Sequence, residues 1–191
     1  MLSLFQPLDE QITLAVASLH NPFLNVLLTV FTYMGTGGTI WIALILALLL
    51  FPRTRKIALV MGASLGLAAL VGNLIIKPIV ARPRPFLVLS GLPEVIPRET
   101  SFSFPSGHTM SSFAAAMVLW FYSWKLALPA TVMAGIIGFS RIYLFCHYFS
   151  DVAAGALLGT VSALLMVLLY YLLLNRRFPL KEPFYLRRQK E

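Results

Sequence analysis

Residues 57–76 and 152–175 are runs of 20 and 24 residues without one charged side chain. About 20 apolar residues in a helix cross the hydrocarbon core of a bilayer. Inside lipid, backbone N–H and C=O groups must find partners within the chain, and a continuous apolar run does so as a helix. Composition agrees: 59% of the 191 residues are hydrophobic and 12% charged, against roughly 45–50% and 25% in soluble domains. The chain therefore reads as an integral membrane protein.

Six stretches qualify as spans: roughly 23–34, 39–51, 57–76, 108–124, 126–143 and 151–174. Gly35-Thr36-Gly37-Gly38 separates the first two, which are short by strict hydropathy, and Pro52-Arg53-Thr54-Arg55-Lys56 stops the second. Ahead of them, Leu8, Ile12, Ala15, Val16 and Leu19 recur at helical spacing, which predicts an amphipathic helix over 7–20 lying at the interface. The expected architecture is all-α: a polytopic membrane bundle of six transmembrane helices with an amphipathic N-terminal helix, forming one domain over 1–191. Asp9 and Glu10 precede any long apolar run and no basic n-region leads it, so the N-terminus does not read as an ordinary signal peptide.

Orientation follows from Lys and Arg in the short loops. Arg53, Arg55 and Lys56 follow the second span, Lys125 the fourth, and Arg176, Arg177, Lys181, Arg187, Arg188 and Lys190 fill the tail. Six spans put these regions on one side, the cytoplasmic one, with both termini. The net charge of +8 is then mostly anchoring charge. No basic helix or aromatic-basic repeat suggests nucleic acid. The single Cys146 excludes an internal disulfide and a cysteine metal cage.

The loops after spans three and five fall on the opposite, outer side, and they carry unusual charges. One holds Lys77, Arg82, Arg84, and Pro105-Ser106-Gly107-His108; the other holds Ser140-Arg141, His147 and Asp151. Ionisable groups on an apolar scaffold are costly unless paired or used. Two spans separate the segments, so both emerge on one face. Ser106 and Gly107 open a helix, whose free N–H groups and dipole favour an anion, and His108 sits in its first turn. Ser106 as a plain N-cap fits the same residues. Asp151 also opens a helix, four residues after His147, where a carboxylate can fix the tautomer of an imidazole. Such an imidazole can itself be a nucleophile. Lys77, Arg84 and Arg141 supply the charge that a transferring phosphoryl group requires. Arg82 reads as a lipid-headgroup contact, and Glu94, Arg98 and Glu99 as ordinary loop charges. His20 needs no special role. Trp41, Trp120 and Trp124 read as interfacial anchors, and the pairs Gly62/Gly66 and Gly155/Gly159 as helix-packing positions.

Lys77, six residues, Arg84-Pro85; Pro105-Ser106-Gly107-His108; Ser140-Arg141, five residues, His147, three residues, Asp151: in order, spacing and identity this resembles the three-part signature of the phosphatidic acid phosphatase type 2 superfamily. The resemblance implies a metal-independent phosphatase without a cofactor, working through a phosphohistidine. In it His147 attacks phosphorus, Asp151 orients His147, and His108 protonates the leaving oxygen. Lys77, Arg84, Ser106, Gly107 and Arg141 hold the phosphoryl group. It also implies a lipid phosphate or diphosphate in the bilayer as substrate, at the outer face of the plasma (inner) membrane. Undecaprenyl diphosphate and phosphatidylglycerol phosphate lead; phosphatidic acid and a lipid A phosphate follow. An anion transporter would not need two imidazoles and a carboxylate. A zinc enzyme using His108, His147 and Asp151 would place its metal among repelling cations.

Overall fold

The computed structural model describes residues 4–173, all of them in helices and connecting turns with no strand among the described residues. Nine α-helices follow in order: α1 Gln6–Ala17, α2 Pro22–Gly35, α3 Thr39–Leu50, α4 Arg55–Ala68, α5 Lys77–Val80, α6 Pro85–Val88, α7 Gly107–Trp120, α8 Trp124–Tyr143 and α9 Phe149–Leu173. A wider π-helical stretch, Ala69–Ile76, joins α4 to α5.

The starts follow local chemistry. Asn21 caps α2 by accepting from the Leu24 N–H at 2.9 Å, with Pro22 at the first helical position. Ser106 caps α7, accepting from the Thr109 N–H at 3.5 Å and also from its hydroxyl at 2.9 Å. Asp151 lies in the first turn of α9 and accepts from the Tyr148 N–H at 3.0 Å, the return arm of a capping box.

Among the described residues, four helical runs are long and apolar enough to cross a membrane: Pro22–Leu50, Arg55–Val88, Trp124–Tyr143 and Phe149–Leu173. This differs from the expected six in two places. First, residues 22–50 form one kinked run where two spans were expected. Gly37 (φ 60°) and Gly38 (φ 73°) turn the chain in the left-handed region, open to glycine at no steric cost, and the helix then continues in the same sense. Its contacts descend α8: the Tyr143 hydroxyl donates to Asn25 at 2.7 Å, Gly35 abuts Ile137, and Ile40 and Leu48 share an apolar cleft with Met133 and Leu126. Second, α7 has only 14 residues, about 21 Å of helix. It is the inner helix, packed against α4, α8 and α9, with Ala114, Ala115, Ala116 and Val118 fully buried.

Gly155 and Gly159 make that packing possible. A methyl on Gly155 would come 2.7 Å from the Ser106 carbonyl oxygen, and one on Gly159 2.8 Å from the Ala114 nitrogen. Gly62 and Gly66 do not pack; an added methyl would meet nothing within 4 Å at either. Trp41 is also no surface anchor. It is buried in the core and donates to the Ser112 hydroxyl at 2.9 Å. Trp120 and Trp124 remain exposed. His20 stacks on Tyr143 and Phe145, a structural role.

Helix α1 is present, but its inward stripe is Asp9, Thr13 and Val16, while Leu8, Leu14 and Leu19 face outward. Asp9 is held by Arg82 and Ser150, so α1 lies at the end of the bundle where Lys77, Arg141 and His147 gather. The described N-terminal helix thus sits at the opposite end of the bundle from Arg55, Lys56 and Lys125, because residues 22–50 continue as one helical run instead of doubling back. The far end carries Arg55 and Lys56 at the start of α4 and Lys125 at the start of α8. The basic tail from Arg176 onward, and residue 174, lie outside the described residues.

Candidate active site

The two charged segments meet at one end of the bundle. Lys77, Glu99, Ser101, Gly107, His108 and His147 line a single cavity of about 780 Å³. Both imidazoles thus border one space. The cavity continues into the bundle beside Ile42, Gly62, Leu65 and Gly66, which explains why those two glycines touch nothing. Asn73, on the π-helical stretch, also borders it; its side chain would lie 3.0 Å from a methyl on Gly107.

His147 sits in the turn between α8 and α9 and is 1% exposed. Its Nε2 lies 3.3 Å from Nη1 of Arg84. A guanidinium has donors only, so Nε2 presents a lone pair and the ring proton resides on Nδ1. That atom faces Ser103 Oγ at 3.4 Å and Asp151 Oδ2 at 3.7 Å. The serine hydroxyl in turn donates to Asp151 Oδ2 at 2.5 Å. Burial, then the charges of Arg141, Arg84 and Lys77, push His147 well below the ordinary histidine value. The ring is neutral, with the Nε2 lone pair directed at the Arg84 guanidinium.

Asp151 is fully buried and its other oxygen, Oδ1, accepts from Arg82 Nη1 at 2.6 Å. Arg82 is correspondingly not a headgroup contact. It is 5% exposed, reaches Asp9 at 2.7 Å, Ser150 and Gln6 at 2.8 Å, and lies over the Tyr148 ring at 4.0 Å. Arg84 is held from behind by the carbonyls of Ser101 and Cys146, each at 2.7 Å. Arg141 donates to Thr32 at 2.6 Å. Nη2 of each guanidinium also reaches Glu99, which pairs with Arg84 at 2.6 Å and with Arg141. Burial raises the Glu99 carboxyl, but Arg141 and Arg84 outweigh it and hold it at about 2. Glu99 is therefore no ordinary loop charge, whereas Glu94 and Arg98 do pair with each other in solvent.

His108 is half-buried on the cavity wall, with Nε2 3.3 Å from the Thr36 hydroxyl. Ser106 is fully buried and its hydroxyl is turned to Thr109, so the atoms of α7 nearest the cavity belong to Gly107 and His108. Ser103, Glu99, Arg82 and Asp9 were missing from the expected site. Asp9 had left a trace, an acid on the inward stripe of α1 with Thr13 and Val16; Ser103 left none.

Fixed cations, two imidazoles and a helix N-terminus gathered around one cavity are chemically suited to an anion such as a phosphate. Residues 57–174 match the family model of the PAP2 superfamily, and the chain belongs to that superfamily. It is 34% identical over 130 residues to an undecaprenyl-diphosphatase of Sulfolobus acidocaldarius, covering 67% of this chain and 62% of that protein. It is 30% identical over 167 residues to phosphatidylglycerophosphatase B of Bacillus subtilis, covering 81% and 79%. Among solved structures, a transmembrane PAP2-type phosphatidylglycerolphosphate phosphatase of Bacillus subtilis superposes with a TM-score of 0.75 at 27% identity, over 91% of this chain and 88% of that one. Aquifex aeolicus LpxE gives 0.74 at 26%, over 82% and 93%.

Proposed function

We propose that the protein is an integral membrane lipid phosphatase, a single membrane-embedded domain that hydrolyses a phosphomonoester or diphosphate through a phosphohistidine. The observation that carries this is a neutral His147 on the cavity wall, with Nε2 beside the Arg84 guanidinium and Nδ1 facing Ser103 and Asp151. Nε2 attacks phosphorus and the lipid alcohol or phosphate departs. Asp151 stabilises the positive ring that forms. His108 protonates the leaving oxygen and then takes a proton from the water that cleaves the phosphohistidine. Lys77, Arg84, Arg141 and the first turn of α7 at Ser106 and Gly107 stabilise the charge on the equatorial oxygens. These cations do electrostatically what a metal ion does elsewhere, so the reaction is metal-independent and needs no cofactor.

The lipid lies in the bilayer with its headgroup in the cavity and its chain along the apolar extension past Gly62 and Gly66. Undecaprenyl diphosphate and phosphatidylglycerol phosphate are favoured, in keeping with the relatives; phosphatidic acid and lipid A phosphate are the alternatives of the same mechanism. The site faces the outer side of the plasma membrane, α1 lies on that surface, and the loops carrying Arg53, Arg55, Lys56 and Lys125 face the cytoplasm. The described segment then crosses five times, with α7 as the enclosed inner crossing. The expected sixth is the half of residues 22–50 that merges with its neighbour.

Phosphate release from purified lipid phosphates in detergent, with and without a strong chelator, tests this. Release that persists under chelation supports the reading. No release from any of these lipids, or release only with added metal, overturns it.

A further inference from the structure

Glu99 occupies the place that this reading gives to the substrate. Its two carboxylate oxygens are spent on Arg84 and Arg141, the two guanidiniums assigned to phosphoryl oxygens. Both guanidiniums are 1% exposed, whereas Glu99 is 31% exposed and borders the same cavity as His108 and His147. On its other side Arg84 meets Nε2 of His147. The carboxylate therefore stands one guanidinium away from the nucleophile.

The fit is incomplete in a telling way. Nε of Arg141 is buried with no hydrogen-bond partner. As placed, Glu99 reaches Arg141 only at Nη2 and leaves Nε unserved. A phosphoryl group offers three equatorial oxygens and up to two charges. Buried polar groups are ordinarily paired, so an unpaired donor on this cation points to an anion that spans both nitrogens as Glu99 does not.

We infer that Glu99 is an internal anionic ligand of the phosphate site and acts as a charge filter: a terminal phosphate or diphosphate carrying two negative charges displaces it, and a phosphodiester carrying one does not. This rests on the phosphatase reading above. Glu99 belongs to the connection between α6 and α7, a long segment without regular structure, so its side chain and the residues before Ser101 can shift while Ser101 and Ser103 keep their hold on Arg84 and Asp151. Its carboxyl stays ionised at every pH where the protein is handled, so the competitor is always present. Abundant diester phospholipids around the protein are thereby kept off Arg84 and Arg141.

The test compares wild type with Glu99→Gln, which keeps the shape and loses the charge. Inhibition by orthovanadate in a lipid phosphomonoester assay should tighten about tenfold in the variant, and the phosphodiester lipid phosphatidylglycerol should become a competitive inhibitor. Unchanged or weaker vanadate inhibition, with phosphatidylglycerol still inert, overturns the filter. Should the variant fail to fold, hydrogen exchange of the wild type decides: vanadate should speed exchange in peptides covering 92–103, and slowed or unchanged exchange there refutes displacement. A wild type that releases no phosphate would remove the phosphatase reading itself, an outcome distinct from either result for Glu99.

Discussion

Arg82 Nη1 lies 2.6 Å from Asp151 Oδ1, with both side chains almost wholly withdrawn from solvent. The same guanidinium pairs with Asp9 on α1, so one cation ties the N-terminal helix to the carboxylate behind His147. Removing one partner of a buried pair costs about 3–5 kcal/mol, because the other charge stays buried and unpaired. Here two carboxylates would be stranded. Arg82→Ala should lower the thermal midpoint strongly and abolish activity, as severely as Arg84→Ala. Arg82→Lys should rescue little, since an ammonium lacks the fork that reaches both acids. Thermal unfolding in detergent beside phosphate release checks this; a stable, active Arg82→Ala protein would return Arg82 to the lipid surface.

His147→Ala should reduce phosphate release by at least about a thousandfold while leaving a folded protein, because a nucleophile has no substitute in the site. Asp151→Asn should also lose activity strongly, through the wrong tautomer. Asp151 has a second job at the start of α9, where it accepts from the Tyr148 N–H. An amide can keep that acceptor but leaves its NH2 facing Arg82, so the asparagine variant should lower the thermal midpoint as well as the turnover. Comparing turnover with thermal midpoint for each variant reads the two effects apart.

Ser103 stands between the imidazole and the acid, 3.4 Å from His147 Nδ1 and 2.5 Å from Asp151 Oδ2. Ser103→Ala should lower kcat about ten- to a hundredfold with little change in KM, since the hydroxyl orients the base and does not reach the cavity. A change confined to KM would place Ser103 in substrate binding.

The parts of this site legible in the sequence are those written as fixed spacing. His147 and Asp151, four apart, fall on one turn; Lys77 and Arg84 flank a single short helix; Ser106, Gly107 and His108 open another. Such relations survive without knowing the fold. Arg82 was misjudged because its partners, Asp9 and Asp151, lie 73 and 69 residues away, and distant pairing has no local pattern. Glu99 was lost the same way, in a segment without periodicity. The helical run through Gly37 and Gly38 was split into two for a different reason. Two glycines signal a break, but whether the chain reverses or continues depends on packing against α8, which composition does not encode.

Acid should destabilise the fold through two groups. His147 is held neutral in the folded protein well below its ordinary value of 6.5. The unfolded chain takes up that proton as pH falls below about 6.5, so stability is full above that pH and declines beneath it. Glu99 titrates at about 2 when folded against 4.5 ordinarily. Its contribution is present above 4.5 and is lost as pH falls toward 2. Thermal midpoints measured from pH 8 to pH 4 should fall first through the His147 window, and His147→Asn should flatten that first slope. A midpoint that rises on acidification from pH 7 to pH 5 would contradict a buried neutral ring.

Gly62 and Gly66 border the cavity where it runs from His108 into the bundle, and nothing packs on either. A side chain there would fill space that the proposed reading reserves for the lipid chain, while the helix itself gains from losing a glycine by roughly 0.5–1 kcal/mol. Gly62→Leu or Gly66→Leu should therefore leave stability intact or improved. Hydrolysis of long-chain lipid phosphates should fall about tenfold or more, in keeping with strain from overfilling. Hydrolysis of a water-soluble short-chain phosphate, which has no tail to place, should change little. The comparison of kcat/KM for the two substrates isolates the groove from the chemistry, because His108, His147 and both guanidiniums are untouched. Equal losses on both substrates would mean the leucine disturbs the phosphate site, and no loss on either would mean the chain lies elsewhere along the bundle.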